Sequence, residues 1–240
     1  LEVGDLDTGP QPIPGTADIG GPGAECDRSN GDKCGHGTHV AGIIAAKSIG
    51  SQGPLGVCQA CKLYSFRATH RKMVGSQTLE MNDGIRDLSQ IRALAYILRF
   101  RDLGTNKPII KIVNMSLGKY FRSRSIGYLV RLLSDNDVLV VAAAANNNTE
   151  TPSYPAAFSS VLSVCALSVN KTSALGGGRG AFAKARFSNF GDWVDICAPG
   201  EKILSTFPGN LDFIEDGTSQ ATPIVAGAAG FLMTYNAGLT

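Results

Sequence analysis

Residues 109–115, Ile109-Ile110-Lys111-Ile112-Val113-Asn114-Met115, precede a helix-like span over 122–134 and a second apolar run, Val138-Leu139-Val140-Val141-Ala142. Two short runs rich in β-branched residues joined by a helical crossover make a βαβ unit, whose strands lie parallel and are covered on both faces. The same grammar continues on either side. Strand-like runs are expected at 3–7, 62–67, 161–167 and 193–198, and helices at 38–47 and 79–101. In the longest of these spans Ile91, Leu94, Ala95 and Leu98 recur at helical spacing as a core stripe. The expected fold is a three-layer α/β/α arrangement around a mostly parallel central sheet.

In such sheets, sites gather beyond the carboxyl ends of the strands, and Asp7, Ser116-Leu117-Gly118 and Asn146 all fall at expected strand ends. Near the C-terminus, Gly217-Thr218-Ser219-Gln220-Ala221-Thr222-Pro223 runs into the small-residue stretch Ile224-Val225-Ala226-Gly227-Ala228-Ala229-Gly230. A serine therefore stands where a tightly packed helix begins, beside unpaired N–H groups and positive dipole potential that favour an oxyanion. A Ser/Thr helix cap would look the same in isolation. Two further segments point to chemistry. His36-Gly37-Thr38-His39-Val40-Ala41-Gly42 places a histidine at the start of a second small-residue helix, and Val3-Gly4-Asp5-Leu6-Asp7-Thr8-Gly9 ends a short strand on a carboxylate able to orient an imidazole. The chain order is Asp, His, Ser.

These three segments resemble the subtilisin-like serine proteases, the subtilases. Further matches run along the chain: Asn114 to Gly118, Val140 to Asn146, Tyr154-Pro155-Ala156, and Phe187-Ser188-Asn189-Phe190-Gly191 leading to Ala198-Pro199-Gly200. The resemblance covers about residues 3–235 and implies a subtilisin-like fold and a serine endopeptidase working through an acyl-enzyme. Asp7, His36 and Ser219 would be the triad, with the Asn146 side chain and the Ser219 backbone N–H as oxyanion donors. Ser116, Leu117 and Gly118 would pair with an extended substrate by strand addition, with Gly75 and Ser76 on the opposite rim. Ala143, Ala144, Ala145, Tyr154 and Pro155 would line the pocket for the residue before the cut. The lining offers no carboxylate, so small to medium uncharged residues are expected there. The sequence departs from the family at Asp5, where an apolar strand residue is usual, and at Ala145, where a glycine is usual.

With 240 residues and 43% hydrophobic content, one catalytic domain over 1–240 is expected, trimmed at both ends because Asp7 comes early and little follows the serine helix. The formal charge of +2 comes from scattered basic residues, which leaves no footprint for nucleic acid, and no apolar run reaches a bilayer-spanning length. Partners are expected to be polypeptide substrates, and a propeptide or protein inhibitor, with the chain a monomer. Six cysteines suit a secreted or otherwise extracytoplasmic setting. Cys26–Cys34 and Cys58–Cys61 are close in sequence, although Cys58-Gln59-Ala60-Cys61 also fits a redox pair or half a zinc site; Cys165–Cys197 is the pairing implied by family strand order. No cofactor is required for the chemistry. Structural calcium is common in the family, but the loop 48–53 lacks carboxylates and no metal ligand is assigned. Asn147-Asn148-Thr149 and Asn170-Lys171-Thr172 fit glycosylation sequons. Two rivals stand beside the peptidase: a catalytically silent binding module on the same fold, and an aspartic protease suggested by Asp7-Thr8-Gly9, which lacks the second aspartate such an enzyme needs.

Overall fold

A computed structural model describes residues 35–47, 53–66, 70–74, 77–81, 87–170 and 181–235. The expected βαβ unit is present as strand β3 (Ile112–Met115), helix α3 (Arg124–Ser134) and strand β4 (Leu139–Ala143), with β3 and β4 parallel and Val113 opposite Val140. Strand β5 (Leu162–Asn170) pairs parallel with β4 through its first residues and with β7 (Ile196–Pro199) through 164–167; β6 (Ala181–Lys184) joins its far end antiparallel. The five-stranded sheet is thus mostly parallel, as expected.

Alternation along the strands sorts side chains into two cores. Val113 and Met115 of β3 and Val140 and Ala142 of β4 face one cluster with Leu94, Ile97, Ile126, Val130 and Leu133, contributed by α2 (Asp87–Arg99) and α3. Val141, the odd member of β4, joins Val164, Ala166, Ala198, Ala221 and Ala226 in the other, under α4 (Thr218–Tyr235). Helix α1 (His36–Ala45) packs on α4 on that side. Gly42 lets α1 approach the hairpin β8 (Ile203–Phe207) and β9 (Leu211–Glu215), because a β-carbon there would overlap the Thr206 and Ser205 hydroxyl oxygens.

Two expected elements differ. Residues 79–101 are not one helix: Gln77–Met81 forms β2, antiparallel to β1 (His70–Val74), and α2 begins only at Asp87. Leu79 and Met81 alternate with Thr78 and Glu80 at period two, so they satisfy a strand and not the stripe that starts at Ile91. The acidic Asp87 in the first turn and Arg99 in the last match the helix dipole. Residues 62–66 form no ladder among the described residues, although Phe66 and Tyr64 pack against the first core. The β8/β9 hairpin adds a pair of strands beyond those expected; its signal is the turn Pro208-Gly209-Asn210, in which Gly209 and Asn210 take φ of 82° and 56°.

Disulfides join Cys58 to Cys61 and Cys165 to Cys197, the latter directly opposite each other in the β5/β7 ladder. Cys26, Cys34, Asp5 and Asp7 lie outside the described residues.

Candidate active site

Ser219 is the second residue of α4 and half-buried. Pro223 sits inside this helix and has no N–H, so the Ser219 carbonyl four residues earlier loses its helical donor. The Ser116 hydroxyl replaces it, donating to the Ser219 oxygen at 2.7 Å, and is itself held by the Asn114 amide at 3.1 Å. In return the Ser219 hydroxyl donates weakly to the Ser116 carbonyl at 3.4 Å. The serine is thereby pinned to the segment after β3.

Asn146 lies three residues beyond the end of β4. Its Oδ1 accepts from both the Thr218 N–H (2.9 Å) and the Thr218 hydroxyl (2.8 Å). A backbone N–H can only donate, so these bonds fix which end of the amide is oxygen. The Nδ2 is then turned toward Gly217. A β-carbon built at Gly217 would stand 2.6 Å from Gln220 Oε1, 3.3 Å from Asn146 Nδ2 and 3.5 Å from the Ser219 nitrogen, so two nitrogens with protons to donate crowd the point that only a glycine leaves free. The preceding residue, Ala145, holds φ at 78°, a left-handed conformation that glycine adopts freely and alanine does not. The loop is clamped by Asn189, a buried residue whose Oδ1 accepts from the Asn147 N–H at 2.9 Å and whose N–H donates to the Ala145 carbonyl at 3.0 Å.

His36 opens α1, after Gly35 with φ of 102°. A side chain at Gly35 would meet the Phe207 ring and Pro208, so the β8/β9 hairpin closes over this end of the helix. Glu215, at the end of β9, touches both helices: its Oε2 accepts from the Gln220 amide at 2.6 Å and lies 3.9 Å from the buried His39 Nδ1. The first turns of α1 and α4 thus converge on one carboxylate.

The segments 116–118 and 152–155 also come together. Lys119 and Tyr154 exchange two backbone hydrogen bonds, at 2.9 and 2.8 Å, placing Ser116-Leu117-Gly118 beside the segment 152–155. A β-carbon at Gly118 would be 2.7 Å from the Ser153 hydroxyl, 3.5 Å from the Tyr154 carbonyl and 3.7 Å from the Ala143 carbonyl. Ala143, Ala144 and Pro155 are buried. Lys119 also bonds Asp87 at the start of α2, and this contact holds the Asp87 carboxyl below its ordinary pKa.

Of the residues singled out from the sequence, Ser116, Leu117, Gly118, Ala143, Ala144, Ala145, Asn146, Tyr154, Pro155, His36 and Ser219 are all described; Asp7, Gly75 and Ser76 lie outside the described residues. Sequence reasoning missed Thr218, Asn189, Ser153, Glu215 and Gln220. Thr218, Gln220 and Asn189 stand inside runs already quoted, so their position was legible and only their partners were not. Among the described residues no group of three or more His, Cys, Asp or Glu is placed to hold a metal ion, and residues 48–52 of the loop considered for calcium lie outside them.

Residues 18–240 match the family model described as the subtilase family. The chain is 35% identical to Subtilisin BL of Lederbergia lenta over 240 residues, covering 98% of this chain and 77% of that protein. It is 34% identical to an alkaline protease of Shouchella clausii, of which it covers 54%. Among solved structures it resembles the S41 psychrophilic protease with a TM-score of 0.70 at 27% identity, over 86% of this chain and 65% of that one. The prenylagaramide maturation protease PagA gives 0.63 at 28%, over 83% and 64%. Fold and sequence agree from the parallel sheet to the serine at the head of α4, and the chain belongs to the subtilase family.

Proposed function

We propose that this protein is a serine endopeptidase whose triad is Asp7, His36 and Ser219. The observation that carries the reading is the approach of Asn146 Nδ2 and the Ser219 nitrogen to one point beside Gly217, at 3.3 and 3.5 Å from where its β-carbon would stand, with the Asn146 amide oriented by Thr218. His36 removes the Ser219 proton as the hydroxyl attacks a peptide carbonyl, then protonates the leaving amine, while Asp7 orients the imidazole and stabilises its charged form. The carbonyl oxygen becomes an anion held by the two donors, and water hydrolyses the acyl-enzyme.

The substrate lies extended against Ser116-Leu117-Gly118, with Gly75 and Ser76 on the other rim. The residue before the cut enters the space bounded by Ala143 to Ala145, Tyr154 and Pro155. No Asp or Glu is assigned to that wall, so small to medium uncharged side chains are favoured over Arg or Lys. No cofactor takes part in these steps. Among the described residues no three His, Cys, Asp or Glu are grouped to hold a metal ion, and no calcium ligand is assigned. Action on polypeptides as a monomer outside the cytoplasm, with 1–240 as one catalytic domain and with control by a propeptide or protein inhibitor, completes the reading. Two disulfides support the location, and no described helix is long and apolar enough to cross a membrane.

The test is labelling of the full-length protein by a fluorophosphonate, with peptide hydrolysis measured alongside. Ser219→Ala is expected to abolish both without unfolding the protein, and His36→Ala to be nearly as damaging because the pair acts as a unit. An untouched Ser219 in the folded parent protein would leave only the silent binding module.

A further inference from the structure

Gln220 comes directly after Ser219, is fully buried, and takes no part in the chemistry above. Its Nε2 donates to Glu215 Oε2 at 2.6 Å. A carboxylate only accepts, so the NH2 end faces Glu215 and the carbonyl Oε1 faces away from it. That oxygen is buried without a hydrogen-bond partner among the described residues. It lies 2.6 Å from the point where a Gly217 β-carbon would stand, the same point that Asn146 Nδ2 and the Ser219 nitrogen approach to 3.3 and 3.5 Å. An acceptor and the two atoms proposed as oxyanion donors therefore all lie within 3.5 Å of one point beside Gly217.

An unpaired buried acceptor is costly by itself, and beside a developing anion its partial negative charge is repulsive. Turning the amide over would remove the repulsion and offer a third donor. Glu215 prevents this, because the turned amide would set oxygen against carboxylate. The carboxylate is in turn held in place: Glu215 ends β9 opposite Ile203 of β8, and its side chain is nearly buried between Gln220 and His39.

We infer that Glu215 and Gln220 form a built-in brake on turnover. Glu215 acts as a positioning residue that fixes the polarity of the Gln220 amide, and Gln220 opposes charge at the oxyanion position. The inference rests on the proposed roles of Ser219 and Asn146. Because the opposed charge exists only in the transition state, the brake acts on kcat and leaves KM unchanged.

The experiment measures kcat and KM on one peptide substrate for the full chain and for Gln220→Leu, Glu215→Leu and Gln220→Glu, with fluorophosphonate labelling of each. Gln220→Leu removes the dipole at similar volume, and Glu215→Leu frees the amide to turn. Both are expected to raise kcat about tenfold at constant KM, less than the ~10²–10³ of a complete oxyanion donor. Gln220→Glu is expected to lower kcat. A merely structural role moves kcat downward in all three. If the two leucine variants melt like the parent yet show kcat unchanged or reduced, or a change in KM alone, there is no brake. Failure of the parent to label at Ser219 instead strikes the proposed function, and this inference with it. Where the variants do not fold, the crystal structure of the phosphonylated parent decides. The brake requires the Gln220 NH2 to remain on Glu215, and an amide turned to donate to the phosphonyl oxygen overturns it.

Discussion

Ser116 and Ser219 hold each other through both hydroxyl groups: Ser116 donates to the Ser219 carbonyl at 2.7 Å, and Ser219 donates to the Ser116 carbonyl at 3.4 Å. The short bond substitutes for the one that Pro223 cannot make, and the long one is loose enough to be given up.

Removing the Ser116 hydroxyl leaves the Ser219 carbonyl without a donor, at a cost of about 1–3 kcal/mol. Pro223→Ala restores an N–H to that carbonyl. The double variant Ser116→Ala/Pro223→Ala is therefore expected to recover much of the loss, giving a coupling energy of about 1 kcal/mol or more in a thermal-unfolding cycle. Strict additivity would mean that the two groups do not serve the same oxygen.

Asn146→Ala deletes one of the two donors beside Gly217. Turnover is expected to fall by about 10²–10³ with little change in KM, the size associated with one oxyanion donor in a subtilisin. The same change frees the Thr218 N–H and hydroxyl, so a modest drop in melting temperature accompanies it. An effect confined to KM would make Asn146 a binding residue.

Ala145 holds a left-handed backbone that costs an L-residue roughly 1–2 kcal/mol, partly offset by the greater freedom of glycine in the unfolded chain. Ala145→Gly is expected to stabilise the fold by up to about 1 kcal/mol, a rise of ~2–4 °C in Tm for a chain of this size. A lower Tm would show that the methyl group contributes packing worth more than the strain. The sequence marks this position as a departure from the family. It does not show that the departure keeps the glycine geometry, because φ is imposed by Asn189 and Thr218, which lie far along the chain and clamp the neighbouring residues.

Asp87 and Lys119 tie the start of α2 to the residue that follows the segment 116–118. The Lys119 contact lowers the Asp87 pKa below its ordinary 3.8, so the pair stabilises the folded state fully above that value, and the contribution is lost as pH falls through the depressed one. Both side chains are about a third exposed, which screens the gain. Asp87→Asn is expected to melt below the parent near neutral pH and to converge on it in acid. A gap that persists or widens on acidification would assign the difference to packing instead.

The strands and helices around 109–142 and 217–230 are legible in the sequence because each carries its own period and its own stop. Ser219, His36 and Asn146 are legible because helix starts and strand ends are where backbone dipoles and unpaired amides collect. Residues 77–81 mislead because a five-residue strand supplies too few alternations to oppose the helical stripe beginning at Ile91. Glu215 and Gln220 are invisible as a pair, since five residues separate them in sequence but a strand end and a helix start bring them to 2.6 Å. Their relation depends on the hairpin, and the hairpin on the short turn at 208–210.

Strand β4 feeds alternate side chains to cores on opposite faces, Val140 and Ala142 to one and Val141 to the other. Deleting or inserting a single residue there would exchange the two sets, sending each side chain into the wrong layer. The strand therefore tolerates no change of length, and Asn146 keeps a constant count from two independent anchorages. On the far side the Asn189 side chain holds the Asn147 N–H and Trp193 donates to the Glu150 carbonyl, so the position of Asn146 is set from both directions along the chain.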